Sequence, residues 1–113
     1  MVDPLPLHLS AIDVAAAIRT RRLSPVELID AVLGAAERMQ PTLNAFVTIC
    51  AEAARAEARA AEQAVMLGGS LGPLHGVPFS VKDLTLTRGV RTTMGSALFA
   101  DFVRAAVEVS RLV

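Results

Sequence analysis

Lys82, the only lysine among 11 basic residues, is the residue whose type and position best fit catalysis. It ends the apolar run Val77–Val81 and precedes Asp83, and open α/β sheets place their sites at the carboxyl ends of strands. Desolvation lowers the pKa of a lysine amine, so a buried lysine can act as a general base. The competing interpretation is a lysine that ends a strand, reaches water and pairs with Asp83.

Three other residue types are candidates for chemistry. Ser80 would share one face of a strand with Lys82, so a Ser/Lys pair is conceivable, although a small packed residue is the simpler interpretation. Cys50 is expected to be a free buried thiol, because nothing places His8 or His75 beside it. The two histidines form no metal-binding motif.

A hydroxyl- and glycine-rich segment, Thr92-Thr-Met-Gly-Ser, follows the lysine by ten residues. Such a turn can orient backbone N–H groups toward an anion or a carbonyl. We therefore take Thr93, Gly95 and Ser96 as residues of a possible active-site loop.

Composition limits the classes of function. The 113 residues carry 11 basic and 11 acidic side chains, and this zero net charge argues against a nucleic-acid binder. One cysteine excludes an intrachain disulfide. The acidic, proline-containing N-terminus does not resemble a secretory signal, and no apolar run approaches the ~18 residues of a membrane span. We expect a cytoplasmic chain of at most one ordinary domain, without a membrane partner.

Three helices are predicted from start signals and apolar spacing. Ser10 with Asp13 begins the first, which should run to about Arg21. Ser24-Pro-Val-Glu begins the second, whose apolar face should end before Pro41. The third covers residues 51–67, closed by Gly68-Gly69.

Two short apolar runs, 44–49 and 77–81, predict strands on either side of the third helix. A strand, a helix and a strand form a right-handed βαβ unit with parallel pairing. The expected fold class is therefore α/β, with two helices and then a βαβ unit of a mixed sheet flanked by helices. The tail from Leu98 has helical spacing from Val103 onward.

In order and spacing, from about Leu9 to Phe102, these segments resemble the N-terminal part of the amidase signature family. The matching segments are Ser24-Pro-Val-Glu-Leu, Asn44-Ala-Phe-Val, the alanine-rich helix, Gly72-Pro-Leu-His-Gly-Val-Pro-Phe-Ser-Val-Lys-Asp-Leu and Thr92-Thr-Met-Gly-Ser. The resemblance implies an α/β hydrolase of carbon–nitrogen amide bonds with a Ser–Ser–Lys triad and no metal or cofactor. It places the catalytic lysine, the general base, at Lys82.

The chain also departs from that family. The Gly/Ser-rich stretch that carries the bridging and nucleophilic serines has no counterpart, since Gly68-Gly69-Ser70 precedes the lysine in another context. The resemblance thus implies that residues 1–113 are the N-terminal part of an amidase signature domain, truncated before that stretch and inactive alone.

Three functional hypotheses follow. The chain derives from an amidase acting on a small-molecule amide, or from the amidase-type subunit of a tRNA-dependent amidotransferase. The third is a non-catalytic interaction module. A partial sheet would expose apolar surface, which favours an oligomer or association with the remainder of a split amidase.

Overall fold

A computed structural model describes residues 7–103, which form two compact units, 7–78 and 79–103. The first unit contains three helices: α1 (Ala11–Arg19), α2 (Pro25–Leu43) and α3 (Ala51–Leu67). The second is built from turns and one 3-10 helix, Ala97–Phe99. None of the helices in the described residues is long and apolar enough to cross a membrane.

The predicted helix starts are confirmed by their capping bonds. The Ser10 hydroxyl oxygen accepts from the Asp13 N–H at 3.2 Å. The Ser24 oxygen accepts from the N–H groups of Val26 and Glu27, at 3.1 and 3.3 Å. These bonds satisfy donors that the first turn of a helix leaves without partners.

The helix ends differ from prediction where backbone geometry intervenes. α1 ends at Arg19, two residues early, because Arg21 adopts φ 60° and the Arg22 N–H bonds back to the Ala17 carbonyl, which is a Schellman ending without glycine. α2 continues past Pro41 to Leu43, because a proline in the last turn removes only one bond and left-handed Asn44 closes the helix.

Two small apolar clusters hold the first unit together. Ile18, 1% exposed, and Leu28, 2% exposed, pack with Val14 and Val65 in one of them. Ile29 and Leu33 of α2 pack on Ala58 of α3 in the other. The small side chain of Ala58 thus provides the contact surface of α3 in this second cluster.

The predicted strand over residues 44–49 is wrong. Asn44 is left-handed and the following residues are irregular. The Gln40 side chain bonds both backbone groups of Phe46, donating to its carbonyl at 2.5 Å and accepting from its N–H at 3.2 Å. A side-chain amide thus takes the place of the neighbouring strand that a ladder needs.

The predicted strand over residues 77–81 is also wrong, and with it the βαβ unit. The Val77 N–H closes a turn onto the Leu74 carbonyl at 3.1 Å, while Phe79 is 71% exposed. Within residues 7–103 no strand forms, and the α/β expectation is replaced by a helical unit followed by a turn-rich one. Apolar, β-rich composition indicates burial or pairing but does not provide a partner.

The second unit is closed by an antiparallel bridge between Arg91 and Val103. Beside it the Thr92 N–H donates to the Phe102 carbonyl at 3.0 Å. Phe99 and Phe102 meet edge to face, with ring centroids 5.8 Å apart. The predicted helical spacing from Val103 lies almost wholly in residues 104–113, outside the described residues.

Gly76 offers a test of the packing in the first unit. Its φ is +80°, and an added Cβ would lie 3.0 Å from Ile18 Cδ1. Gly76→Ala should lower the free energy of unfolding in urea by about 2–4 kcal/mol, combining left-handed strain with overpacking.

Two matched variants separate those causes. Gly68 has φ +73° but open space around it, so Gly68→Ala should cost only about 1–2 kcal/mol. Gly69→Ala, without positive φ or neighbours, should be near neutral. A Gly76→Ala effect no larger than that of Gly68→Ala would contradict the close contact with Ile18.

Candidate active-site loop

Lys82 lies at the start of a turn in the second unit. Its carbonyl accepts from the Thr85 N–H at 2.9 Å, which closes the turn, and its side chain is exposed. The surrounding backbone is irregular rather than extended. The amine is therefore presented from a turn and not from the end of a strand.

Asp83, the next residue, ties this turn to the Thr/Gly loop. Its carboxylate accepts from the Thr93 N–H at 2.8 Å and from the Thr93 hydroxyl. Its carbonyl accepts from the Met94 N–H at 3.0 Å. We call these three bonds, between Asp83 and residues 93–94, the Asp83 clamp.

The loop itself is a tight turn over residues 93–96. The Ser96 N–H donates to the Thr93 carbonyl at 3.0 Å, with Met94 at φ 54° and Gly95 at φ 68° between them. Two successive positive φ values are the geometry of a type I′ turn. A methionine rarely adopts this conformation, and the bond from the Met94 N–H to Asp83 helps to hold it there.

Burial and charge explain why the Asp83 carboxylate is the hydrogen-bond partner of Thr93. Thr93 is only 7% exposed, so its hydroxyl needs a partner within the protein. The Thr93 hydroxyl and N–H hold the pKa of Asp83 below its usual value, helped by the Gly95 N–H and the positive charge of Arg91 and opposed by desolvation. The site therefore favours the charged carboxylate.

Thr93, Gly95 and Ser96 lie in the same turn and make different hydrogen bonds. Thr93 binds Asp83 and also accepts from the Gly95 N–H at 3.3 Å. Ser96 caps the 3-10 helix, accepting from the Leu98 N–H at 3.3 Å. Among the described residues, the Thr93 N–H of this loop donates to the carboxylate of Asp83.

The structure gives less support to a chemical role for the remaining candidate residues. The basis for a Ser80/Lys82 pair was a shared strand face, and the strand is absent from the described residues. Cys50 is exposed at the start of α3 rather than buried. His75 Nε2 lies 2.9 Å from the Ala61 carbonyl, which is a structural contact. Among the described residues no group of three or more His, Cys, Asp or Glu side chains could hold a metal.

Sequence reasoning underestimated Asp83. It appeared only as a neighbour that could pair with Lys82, whereas both carboxylate oxygens bond Thr93. The available signal was a carboxylate followed ten residues later by a hydroxyl in a glycine-containing turn. That spacing alone does not show that the two segments meet.

Acid should release the clamp. Because the folded pKa of Asp83 lies below its ordinary value of 3.8, the clamp's contribution to stability is complete well above that value and is lost as the pH falls through the folded pKa. The Thr93 N–H resonance, followed by NMR, should titrate with a midpoint below 3.8. Asp83→Asn should abolish this titration, and a midpoint at or above the value in urea-unfolded chain would contradict the assignment.

Comparison with known proteins gives the chain its family. The Amidase family model matches residues 27–112, which include both Lys82 and the loop. A glutamyl-tRNA(Gln) amidotransferase subunit from Azoarcus sp. (strain BH72) is 45% identical over 108 residues, 94% of this chain and 22% of that protein. The counterpart from Granulibacter bethesdensis is 44% identical over 86 residues, 76% of this chain and 17% of that protein.

An enzyme with another name matches as well. The acylamidase of Rhodococcus erythropolis is 39% identical over 109 residues, 94% of this chain and 23% of the enzyme. The chain thus spans 17–23% of the length of these three relatives. No solved structure matches it. With the family model covering residues 27–112 and the motifs around Lys82 and Thr93 inside that range, the chain belongs to the amidase signature family.

Proposed function

We propose that this chain supplies the general base, Lys82, to an amidase-type hydrolase of carbon–nitrogen amide bonds. The observation that carries the proposal is the joining of two family motifs. The turn that begins with Lys82 and the Thr93 loop both lie in the family match, and Asp83 bonds them together. A residue presented from a fixed turn is suited to a repeated proton transfer.

The chemistry needs a neutral amine and a hydroxyl nucleophile. In the proposed reaction the Lys82 amine takes a proton from a nucleophilic serine through a bridging serine. The serine oxygen then bonds the amide carbon, the carbon–nitrogen bond breaks, and the nitrogen leaves with a proton. Water hydrolyses the resulting ester and frees the serine.

Both serines are proposed to come from polypeptide beyond residues 1–113, because the family's Gly/Ser-rich stretch has no counterpart here. The short coverage of the relatives, 17–23%, supports this proposal. So does the exposure of Lys82 in the second unit, since a lysine base needs a covered, desolvated amine. The partner is proposed to be the remainder of an amidase, with a small-molecule amide as substrate.

The second candidate function is that of part of an amidotransferase subunit. The Azoarcus amidotransferase protein is 45% identical over 108 residues, against 39% over 109 for the acylamidase. In that case the chain would belong to an assembly that transfers an amide nitrogen to glutamyl-tRNA. A non-catalytic interaction module remains the third hypothesis, with oligomer formation as its signature.

The 113-residue chain is expected to hydrolyse no chromogenic amide above background, because it lacks the acyl-accepting serine. Lys82→Ala should leave that background unchanged. Release of the chromophore that depends on Lys82 would refute the requirement for residues outside this chain. Light scattering on the same sample distinguishes a monomer from the oligomer that an interaction module would form.

Activity should appear when the missing part is supplied. The chain is substituted for the matching segment of the Rhodococcus acylamidase, and hydrolysis of the same chromogenic amide is measured. Lys82→Ala and Lys82→Arg should each reduce kcat on the order of 10³-fold or more, because arginine keeps the charge but cannot accept the proton. Arg59→Lys, at an exposed position of α3, is the control and should retain activity.

An active chimera whose kcat survives Lys82→Ala would refute Lys82 as the base. The same exchange into the Azoarcus amidotransferase protein, assayed for amide transfer to glutamyl-tRNA, tests the second candidate. Activity in that chimera alone would favour the amidotransferase origin.

A further inference from the structure

We propose that Asp83 is a positioning residue for Lys82, acting with Thr93 through the Asp83 clamp. The proposal rests on the function proposed above for Lys82. It assigns a task to a carboxylate that neither accepts the proton nor touches substrate in that scheme. The relevant geometry lies entirely within the second unit.

The bonds around Asp83 restrict the backbone immediately after the lysine. The Lys82 carbonyl is held by the Thr85 N–H at 2.9 Å, and the Asp83 carbonyl by the Met94 N–H at 3.0 Å. The carboxylate between them is held by Thr93. Three neighbouring acceptors are thus engaged, so the restraint falls on the backbone of this turn, while the Lys82 side chain itself is exposed.

The Thr93 hydroxyl is the centre of this arrangement. It donates to the Asp83 carboxylate and accepts from the Gly95 N–H at 3.3 Å. Hydrogen bonds to a charged acceptor are stronger than neutral ones, and linked bonds polarise one another. At 7% exposure, Thr93 has little access to water as a substitute partner.

Such an arrangement predicts a particular kinetic effect. A displaced base weakens proton transfer without weakening substrate binding, so kcat falls while KM stays nearly constant. A merely structural clamp would instead reduce the amount of folded enzyme and the melting temperature. It would leave the kcat of the folded fraction unchanged.

The test uses matched threonine variants in the acylamidase chimera. Thr93→Val keeps the shape and the N–H but removes the hydroxyl, and should lower kcat on the order of 10- to 100-fold with KM within about twofold. Thr93→Ser restores a hydroxyl and should recover most of the loss. Thr87→Val is the control. It removes a solvent-exposed hydrogen bond from the Thr87 hydroxyl to the Thr85 carbonyl in the same unit.

Each outcome decides the matter. If Thr93→Val and Asp83→Asn retain full kcat while Lys82→Ala abolishes it, positioning by Asp83 is refuted and the function of Lys82 stands. If Lys82→Ala retains kcat, the proposed function itself falls. Loss of kcat in Thr93→Val without recovery in Thr93→Ser would also overturn the role of the hydroxyl.

The 113-residue chain provides a readout that needs no activity. Hydrogen exchange at the N–H groups of Thr93, Met94 and Thr85 should accelerate on the order of tenfold or more in Asp83→Asn, while exchange in the middle of α2 stays unchanged. Unchanged exchange at Thr85 would show that the clamp does not restrain the turn of Lys82, and would overturn the proposal.

Discussion

In the described part of the chain, backbone groups outside the helices have no sheet ladder to join, and this constraint governs both the loops between the helices and the turns that follow them. Backbone N–H and C=O groups need hydrogen-bond partners, and here side chains and turns supply them in place of strands. Gln40 bonds both backbone groups of Phe46. The Arg19 guanidinium donates to the Gly72 carbonyl at 3.1 Å, and the Asp83 carboxylate accepts from the Thr93 N–H at 2.8 Å.

The helical unit meets the same constraint more simply. Its helices satisfy their backbones internally and bury two narrow apolar stripes. Ser24 connects capping to packing, because its hydroxyl oxygen caps α2 while the hydroxyl donates to Glu62 of α3 at 2.6 Å. On the surface, Asp30 and Arg55 form an ion pair at 2.9 Å between the same two helices. Exposed pairs of this kind contribute little, so the apolar contacts dominate the association.

The turn-rich unit shows how a carboxylate can organise a short segment. Asp83 draws together residues that are ten positions apart, and the left-handed Met94 is accommodated because its N–H is used in the same contact. Charge, burial and backbone geometry are consistent there: the threonine is buried, the carboxylate is charged, and the turn places two donors on one acceptor group. The family match includes this arrangement, and Lys82 belongs to the same turn as Asp83.

The sequence by itself determined the local features. Helix starts at Ser10 and Ser24, the extent of α3 and its left-handed Gly68 cap depend on interactions within a few residues, and the family was recognisable from motifs in order. Only the tertiary structure decided what the apolar runs at 44–49 and 77–81 do, because a strand requires a partner that local sequence does not specify. It also decided the Asp83–Thr93 contact, since an interaction across ten residues depends on how the intervening turns close.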